Sequence, residues 1–135
     1  MNNNYKEFKK MGLDMFLYCI DKSDKEKKKI EIGYWRKANA IHRWFVKNIQ
    51  NNNDDCKCYN LSKENIINLK ELCIKVKNDK QLACKLLPTQ SGFFFGSTEY
   101  NEDYFDDLEE TIKICNKVLN ELDFEKYECV YSSWW

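Results

Sequence analysis

The sequence predicts an α+β fold: a small, mainly antiparallel sheet with about three helices packed on it, in a single domain. Three observations predict it. Apolar residues alternate or run continuously near both ends of the chain, whereas three internal segments carry apolar residues at steps of three and four. Turn signals separate these segments at short intervals, and the order β-β-α-(β)-α-loop-α-β suits a sheet covered by helices on one side. The 135-residue length fits one domain, large enough to bury a core without disulfide or metal staples.

The elements follow in order. Residues 1–10 are polar, with Tyr5 and Phe8 as anchors, and are expected to form a flexible N-terminal extension ahead of a domain spanning 11–135. Leu13 to Ile20 is apolar on both sides of the alternation, as a central strand is. A charge-dense turn leads to a short β-prone run from Lys29 to Gly33. From Tyr34 to Ile49 the period becomes helical, with Tyr34, Ala38, Ile41, Phe45 and Ile49 on one face. Asn51 to Asp55 breaks the chain, and Cys56 to Leu61 fits a short strand. Ser62 is a good N-cap for a second helix, which buries Ile66, Leu69, Cys73 and Val76 and ends near Asn78, with a separate turn from Gln81 to Leu87. Asn101 caps a third helix with Glu102 and Asp103 in its first turn, where the helix dipole favours acids. Tyr100 and Phe105 are placed for a hydrophobic staple, and Tyr104, Leu108, Thr111, Cys115, Val118 and Leu122 trace the buried stripe. Tyr127 to Trp135 alternates as a closing strand.

Composition narrows the function classes. Formal net charge is zero, which argues against a general nucleic-acid binder. The charge is unevenly spread: residues 1–50 hold twelve Lys/Arg against six Asp/Glu, and residues 97–135 hold three against eleven. The simplest consequence is mutual neutralisation on folding, although a basic face opposite an acidic one is compatible with the same numbers. Seven cysteines are present, an odd number, and no run approaches the length of a membrane span. Reduced, mostly buried thiols in a cytoplasmic protein fit this usage. Cys56-Lys57-Cys58 lacks the spacing of a zinc knuckle, so neither a metal site nor a cofactor is expected.

Two segments are candidates for chemistry. Trp35, Asn39, His42 and Val46 fall at helical spacing beside the apolar face, with Arg36, Arg43 and Trp44 close by. Arg forks bind phosphate or carboxylate, Trp stacks on a base, and Asn reads amides and hydroxyls. A satisfied surface stripe with an ordinary His42 is the plainer alternative. The second segment is Thr89-Gln90-Ser91-Gly92-Phe93-Phe94-Phe95-Gly96-Ser97-Thr98. Its small and hydroxyl residues expose amides able to cradle an anion, and three consecutive Phe cannot all face one way. A hairpin turn that packs its Phe into the core is the plainer alternative here. It is not a P-loop, and no catalytic serine or metalloprotease signature accompanies the single His. The acids of the third helix read as dipole partners turned to solvent.

Four blocks carry a resemblance. Met11 to Tyr18, Tyr34 to Phe45, Leu86 to Tyr100 and Tyr131 to Trp134 are together similar to a family of small phage and prophage proteins. The resemblance covers most of residues 11–134 and implies no established activity. Residues 1–10 lie outside it, which makes Met11 a candidate alternative start. A phage context implies, by analogy, a counter-defence role. The leading expectation is therefore a non-catalytic accessory protein in the host cytoplasm that sequesters a nucleotide-like or other anionic ligand, with no membrane partner and with homo-oligomerisation left open. Trp35 and Trp44 would wall the pocket, Arg36, His42 and Arg43 would meet negative charge, and Asn39, Gln90, Ser91, Ser97 and Thr98 would supply hydrogen bonds. An anti-CRISPR-like inhibitor of a host defence nuclease is the second reading, and a small nucleotide-processing enzyme using His42 the third. The ligand reading requires the two segments to converge in space, with Asn39 or His42 within about 10 Å of Gln90 to Thr98, the span of a ligand-sized pocket.

Overall fold

In a computed structural model that describes residues 12–92 and 95–135, the chain folds around a four-stranded antiparallel sheet. Its strands are β1 (Asp14–Asp21), β2 (Ile30–Arg36), β3 (Tyr59–Leu61) and β4 (Tyr127–Trp134), in spatial order β2-β1-β4-β3. The helices are α1 (Asn39–Asn48), α2 (Lys63–Asn78), the one-turn α3 (Ala83–Leu86) and α4 (Glu102–Glu121), with a 3₁₀ turn at Lys80–Leu82. The α+β class and the element order are those expected from the sequence. The proposed extension at residues 1–10 lies outside the described residues.

β1 occupies the interior of the sheet, as its two-sided apolar pattern requires. It pairs with β4 along eight residues, from Asp14 opposite Trp134 to Asp21 opposite Tyr127. Met15, Leu17, Cys19, Cys129, Tyr131 and Ser133 therefore share one face, and all are buried. α4 lays Leu108, Thr111, Cys115 and Val118 into this core and packs against α2, whose Ile66, Leu69, Cys73 and Val76 are fully buried. Phe45 of α1 stacks on Tyr131 with ring centroids 3.7 Å apart and planes at 7°. On the opposite face Phe16 stacks with Tyr18 at 5.6 Å and leans on Tyr34 at 5.3 Å.

The helix ends follow their capping signals. Ser62 and Asn65 form a reciprocal capping box at α2. Asn101 accepts the Tyr104 amide at the start of α4. The staple expected between Tyr100 and Phe105 is not the contact made: Tyr100 packs on Tyr104 at 5.0 Å, and Phe105 lies under the Lys80 ammonium. Glu109 of α4 pairs with Lys77 of α2.

One boundary differs from the sequence expectation. The helical period assigned to Tyr34–Ile49 starts five residues too early, because Tyr34, Trp35 and Arg36 extend β2 instead. They pair with Phe16, Met15 and Asp14. Pairing with β1 wins because it buries the Trp35 ring beside Phe45, centroids 5.9 Å apart, and lets the indole N–H donate to Thr111 Oγ1 at 2.9 Å. Lys37 then reverses the chain at φ +57°, a conformation an L-residue adopts only under tertiary constraint. Its amide donates to the Leu13 carbonyl at 2.7 Å, which anchors the turn.

The Trp35–Thr111 bond ties the edge strand β2 to α4. Thr111→Val keeps the shape and removes the acceptor, leaving a buried indole N–H unsatisfied. A loss of about 1–3 kcal/mol is expected, measured by urea unfolding with an unchanged m-value.

Candidate functional site

The two sequence segments meet, and Asn39 joins them. This side chain is buried at the first residue of α1. Its Nδ2 donates to the carbonyls of Phe95 at 3.0 Å and Ser97 at 2.8 Å, while its Oδ1 accepts the Gln90 amide at 3.0 Å. A single amide thus closes the 90–97 loop onto α1, and the expected convergence of the segments is found. The loop is fastened again where Thr89 Oγ1 donates to the Thr98 carbonyl at 2.8 Å and the Tyr100 hydroxyl accepts the Thr89 amide. Gly96 takes φ +87°, and a Cβ there would press within 3.2 Å of the Lys37 side chain. Phe95 is buried with its edge toward His42. The expectation for Phe93 and Phe94 lies outside the described residues.

Between this clasp and the start of α4 lies a cleft of about 310 Å³. One wall is the start of α1. Ala38 offers no side-chain cap, and no acceptor among the described residues meets the amides of Ala40 and Ile41. Lys37 stands beside them, and its ammonium makes no ion pair among the described residues. Free amides, the helix dipole and a lysine all favour negative charge here. The opposite wall is acidic, formed by Glu99, Asp103, Asp106 and Asp107, and Thr89, Ser97 and Asn101 complete the lining. Asp107 is pushed up to about 7 by burial, with Asp103 and Asp106 repelling its charge further. Near neutral pH it is therefore divided between a form that accepts hydrogen bonds and one that also donates. The cleft is bipolar and suits a ligand that is anionic at one end and rich in N–H groups at the other.

The sequence-selected residues are distributed unequally around it. Arg36 and Ser97 line the cleft, and so does Asn39, although its polar atoms are occupied by the clasp. The Arg36 guanidinium donates to Asp14 at 2.8 Å, and Asp14 also accepts the Tyr34 hydroxyl. Trp35 is a core residue on β2 rather than part of a helical stripe. Trp44 is half-buried with its ring against Phe45, away from this cleft. Gln90, Arg43 and His42 line a separate cleft of about 260 Å³ with Lys47, Asn52 and Asp54. Ser91 and Thr98 are exposed, and their carbonyls serve the loop's own hydrogen bonds. The acids of α4 do not all turn to solvent, because Asp107 turns partly inward.

His42 is fully buried, where the sequence suggested a position at the rim of the core. It also has the partners its spacing did not reveal. Nδ1 faces the Tyr131 hydroxyl at 2.7 Å and Nε2 faces Asp54 Oδ1 at 3.0 Å. Asp54 additionally accepts the Trp135 indole N–H at 3.0 Å. Burial holds the Tyr131 phenol far above its usual range, so it stays protonated and is able to donate to Nδ1. A ring hydrogen on Nε2, bonded to Asp54, is compatible with that donation and satisfies both contacts. The order Asp-His-Tyr imitates a catalytic relay, but Tyr131 is fully buried and stacked on Phe45, which shuts its hydroxyl off from solvent. The relay locks α1 to β4 and to the Asp54 loop.

Lys37, Asp103 and Asp107 were not selected from the sequence, and Thr89 entered only as the first residue of the second segment, with no role of its own. The available signals were the place of Lys37 between Arg36 and Asn39 and the density of acids early in α4. Comparison with protein-family models, curated proteins and solved structures finds no match in any of the three.

Two measurements check this geometry. Asn39→Leu removes both the acceptor of the Gln90 amide and the donor to the Phe95 and Ser97 carbonyls, so hydrogen exchange at the Gln90 amide should accelerate at least about tenfold, equivalent to one lost buried hydrogen bond. Asp107 binds its proton more tightly folded (about 7) than unfolded (3.8). Its contribution to stability is complete below about pH 4 and is lost as pH rises to about 7. Asp107→Asn should flatten the decline in melting temperature across that window.

Proposed function

We propose that this chain is a non-catalytic, phage-type accessory protein that binds a small nucleotide-like anion in the cleft between α1 and α4, and that it acts in counter-defence by sequestering a host signalling nucleotide. The observation that carries the reading is the uncapped start of α1, opening with Lys37 onto a cleft whose other wall is acidic. A phosphate suits the amides of Ala40 and Ile41 and the Lys37 ammonium. The N–H edge of a base suits Asp103 and Asp107, the latter serving as donor or acceptor according to its protonation. The volume is at the small end of ligand pockets, the scale of a mononucleotide unit. Binding without turnover is supported by His42, whose two ring nitrogens are both engaged within the fold. The phage assignment rests on the resemblance of the four sequence blocks.

A second reading, inhibition of a host defence nuclease by surface contact, is favoured by the exposed Trp134 and Trp135 at the C-terminal end and by the exposed acids of α4.

The test is incubation with a panel of linear and cyclic nucleotides, followed by heat denaturation and recovery of the ligand. Intact ligand at one equivalent is expected. Lys37→Gly, which suits the positive φ, should weaken binding by about tenfold or more, the scale of one charged hydrogen bond. Asp107→Asn should alter the preference among bases. Conversion of many equivalents would place the chain among enzymes, and absence of binding together with capture of a nuclease would favour the second reading.

A further inference from the structure

Four of the seven thiols, Cys19, Cys73, Cys115 and Cys129, are buried in the core, all of them free. Cys19 of β1 and Cys129 of β4 lie directly opposite each other and on the same face. The hydrogen-bond phase of this pair can be read from the Lys22 amide, which donates to the Lys126 carbonyl at 3.0 Å. Continued through the unbroken register, that bond makes the even-numbered residues of β1 the hydrogen-bonded partners and the odd-numbered residues the non-hydrogen-bonded ones. Cys19 and Cys129 thus occupy a non-hydrogen-bonded pair. Facing Cα atoms there are about 4.5 Å apart, inside the range of about 4.4–6.8 Å that a disulfide spans. The Cys129 thiol also senses the charge of Cys19 directly.

Access differs between the two thiols. Cys19 lines a mainly apolar surface cleft of about 240 Å³ together with Ile30, Ile32, Val118 and Leu122, with Lys117 and Glu121 also in its lining. Cys129 is not part of that lining; it borders a different cleft of about 280 Å³ with Leu61, Phe124 and Tyr127, and is 1 % exposed against 6 % for Cys19.

We propose that Cys19 is a thiol-modification site for small apolar disulfides entering this cleft, and that Cys129 resolves the adduct to leave a cross-strand Cys19–Cys129 disulfide. The Cys19 thiol loses its proton to solvent and its sulfur attacks one sulfur of the incoming disulfide. A protein–reagent S–S bond forms as the reagent's own S–S bond breaks, releasing one thiolate. Cys129, deprotonated in turn, attacks the Cys19 sulfur and expels the second thiolate. Two protein thiols are oxidised and one reagent disulfide is reduced to two thiols, with no other reactant. The bond joins β1 to β4 without altering their register. Burial holds both thiols above their ordinary range, Cys129 at about 12, so the reaction is slow at pH 7 and quickens with pH.

The probe is 4,4′-dithiodipyridine, a small uncharged disulfide, applied at about pH 8.5 to a full-length Cys56→Ser, Cys58→Ser, Cys84→Ser variant, which removes the thiols outside the core. Its circular dichroism and melting temperature should match the parent. Two equivalents of thiopyridone should be released, the protein should lose the mass of two hydrogens, and a non-reducing digest should join the Cys19 and Cys129 peptides. Adding Cys129→Ala should halt the reaction at a stable pyridyl adduct on Cys19. The proposal is overturned if Cys19 stays a free thiol, if its adduct accumulates while Cys129 is present, or if the crosslink joins Cys115 or Cys73. Because none of these thiols lines the α1–α4 cleft, the outcome is independent of the nucleotide-binding reading.

Discussion

The structure depends on the pairing of β1 with β4. These are the first and last of the described elements, and they register residue for residue over eight positions in the middle of the sheet. The contact closes a loop of roughly a hundred residues, whose entropic cost grows only slowly with length. Burial of Met15, Leu17, Tyr131 and Cys129 along the shared face offsets it. The constraint propagates outward. Trp35 reaches Thr111 only because β1 holds β2 in register, Phe45 finds Tyr131 only because β4 is central, and α4 needs the combined inner face to bury its stripe. Such non-local pairing places this fold toward the slower end of folding rates for its size.

On this base the site is assembled by a few polar side chains that work inside the protein. Asn39 uses three of its four hydrogen-bonding positions on the backbone of a distant loop. His42 uses both ring nitrogens to join α1, β4 and the Asp54 loop. In a low-dielectric interior each unmet polar group would be costly, so such networks specify one arrangement rather than several. Their consequence for the cleft is indirect. By occupying Asn39 and His42 the fold leaves the bare amides of α1, Lys37 and the α4 carboxylates as the groups that face open space. Trp35, Asn39 and His42 became scaffold, whereas Arg36 and Ser97 joined the plain charged residues of neighbouring positions in the lining.

Much of the architecture was legible in the sequence because it is encoded locally. Capping at Ser62 and Asn101, the buried stripes of α2 and α4, and the two-sided apolar pattern of β1 each involve residues within a few positions of one another. What misled was the stretch Tyr34-Trp35-Arg36. Its apolar spacing continues the helical period of α1, yet its neighbours are Phe16, Met15 and Asp14. Periodicity cannot distinguish a helix from the end of a strand when the deciding partner is twenty residues away.

The sequence by itself determined the class of fold, the order of its elements and the reduced state expected of its thiols, and it singled out the two segments that converge, because periodicity, caps and composition act over short range. Only the tertiary structure decided that Asn39 clasps the loop, that Asp54 and Tyr131 hold His42, that Asp107 titrates near neutrality and that Cys19 faces Cys129. The reason is physical. Each of these depends on burial and on a partner contributed by another element, and neither exists until β1 and β4 have come together.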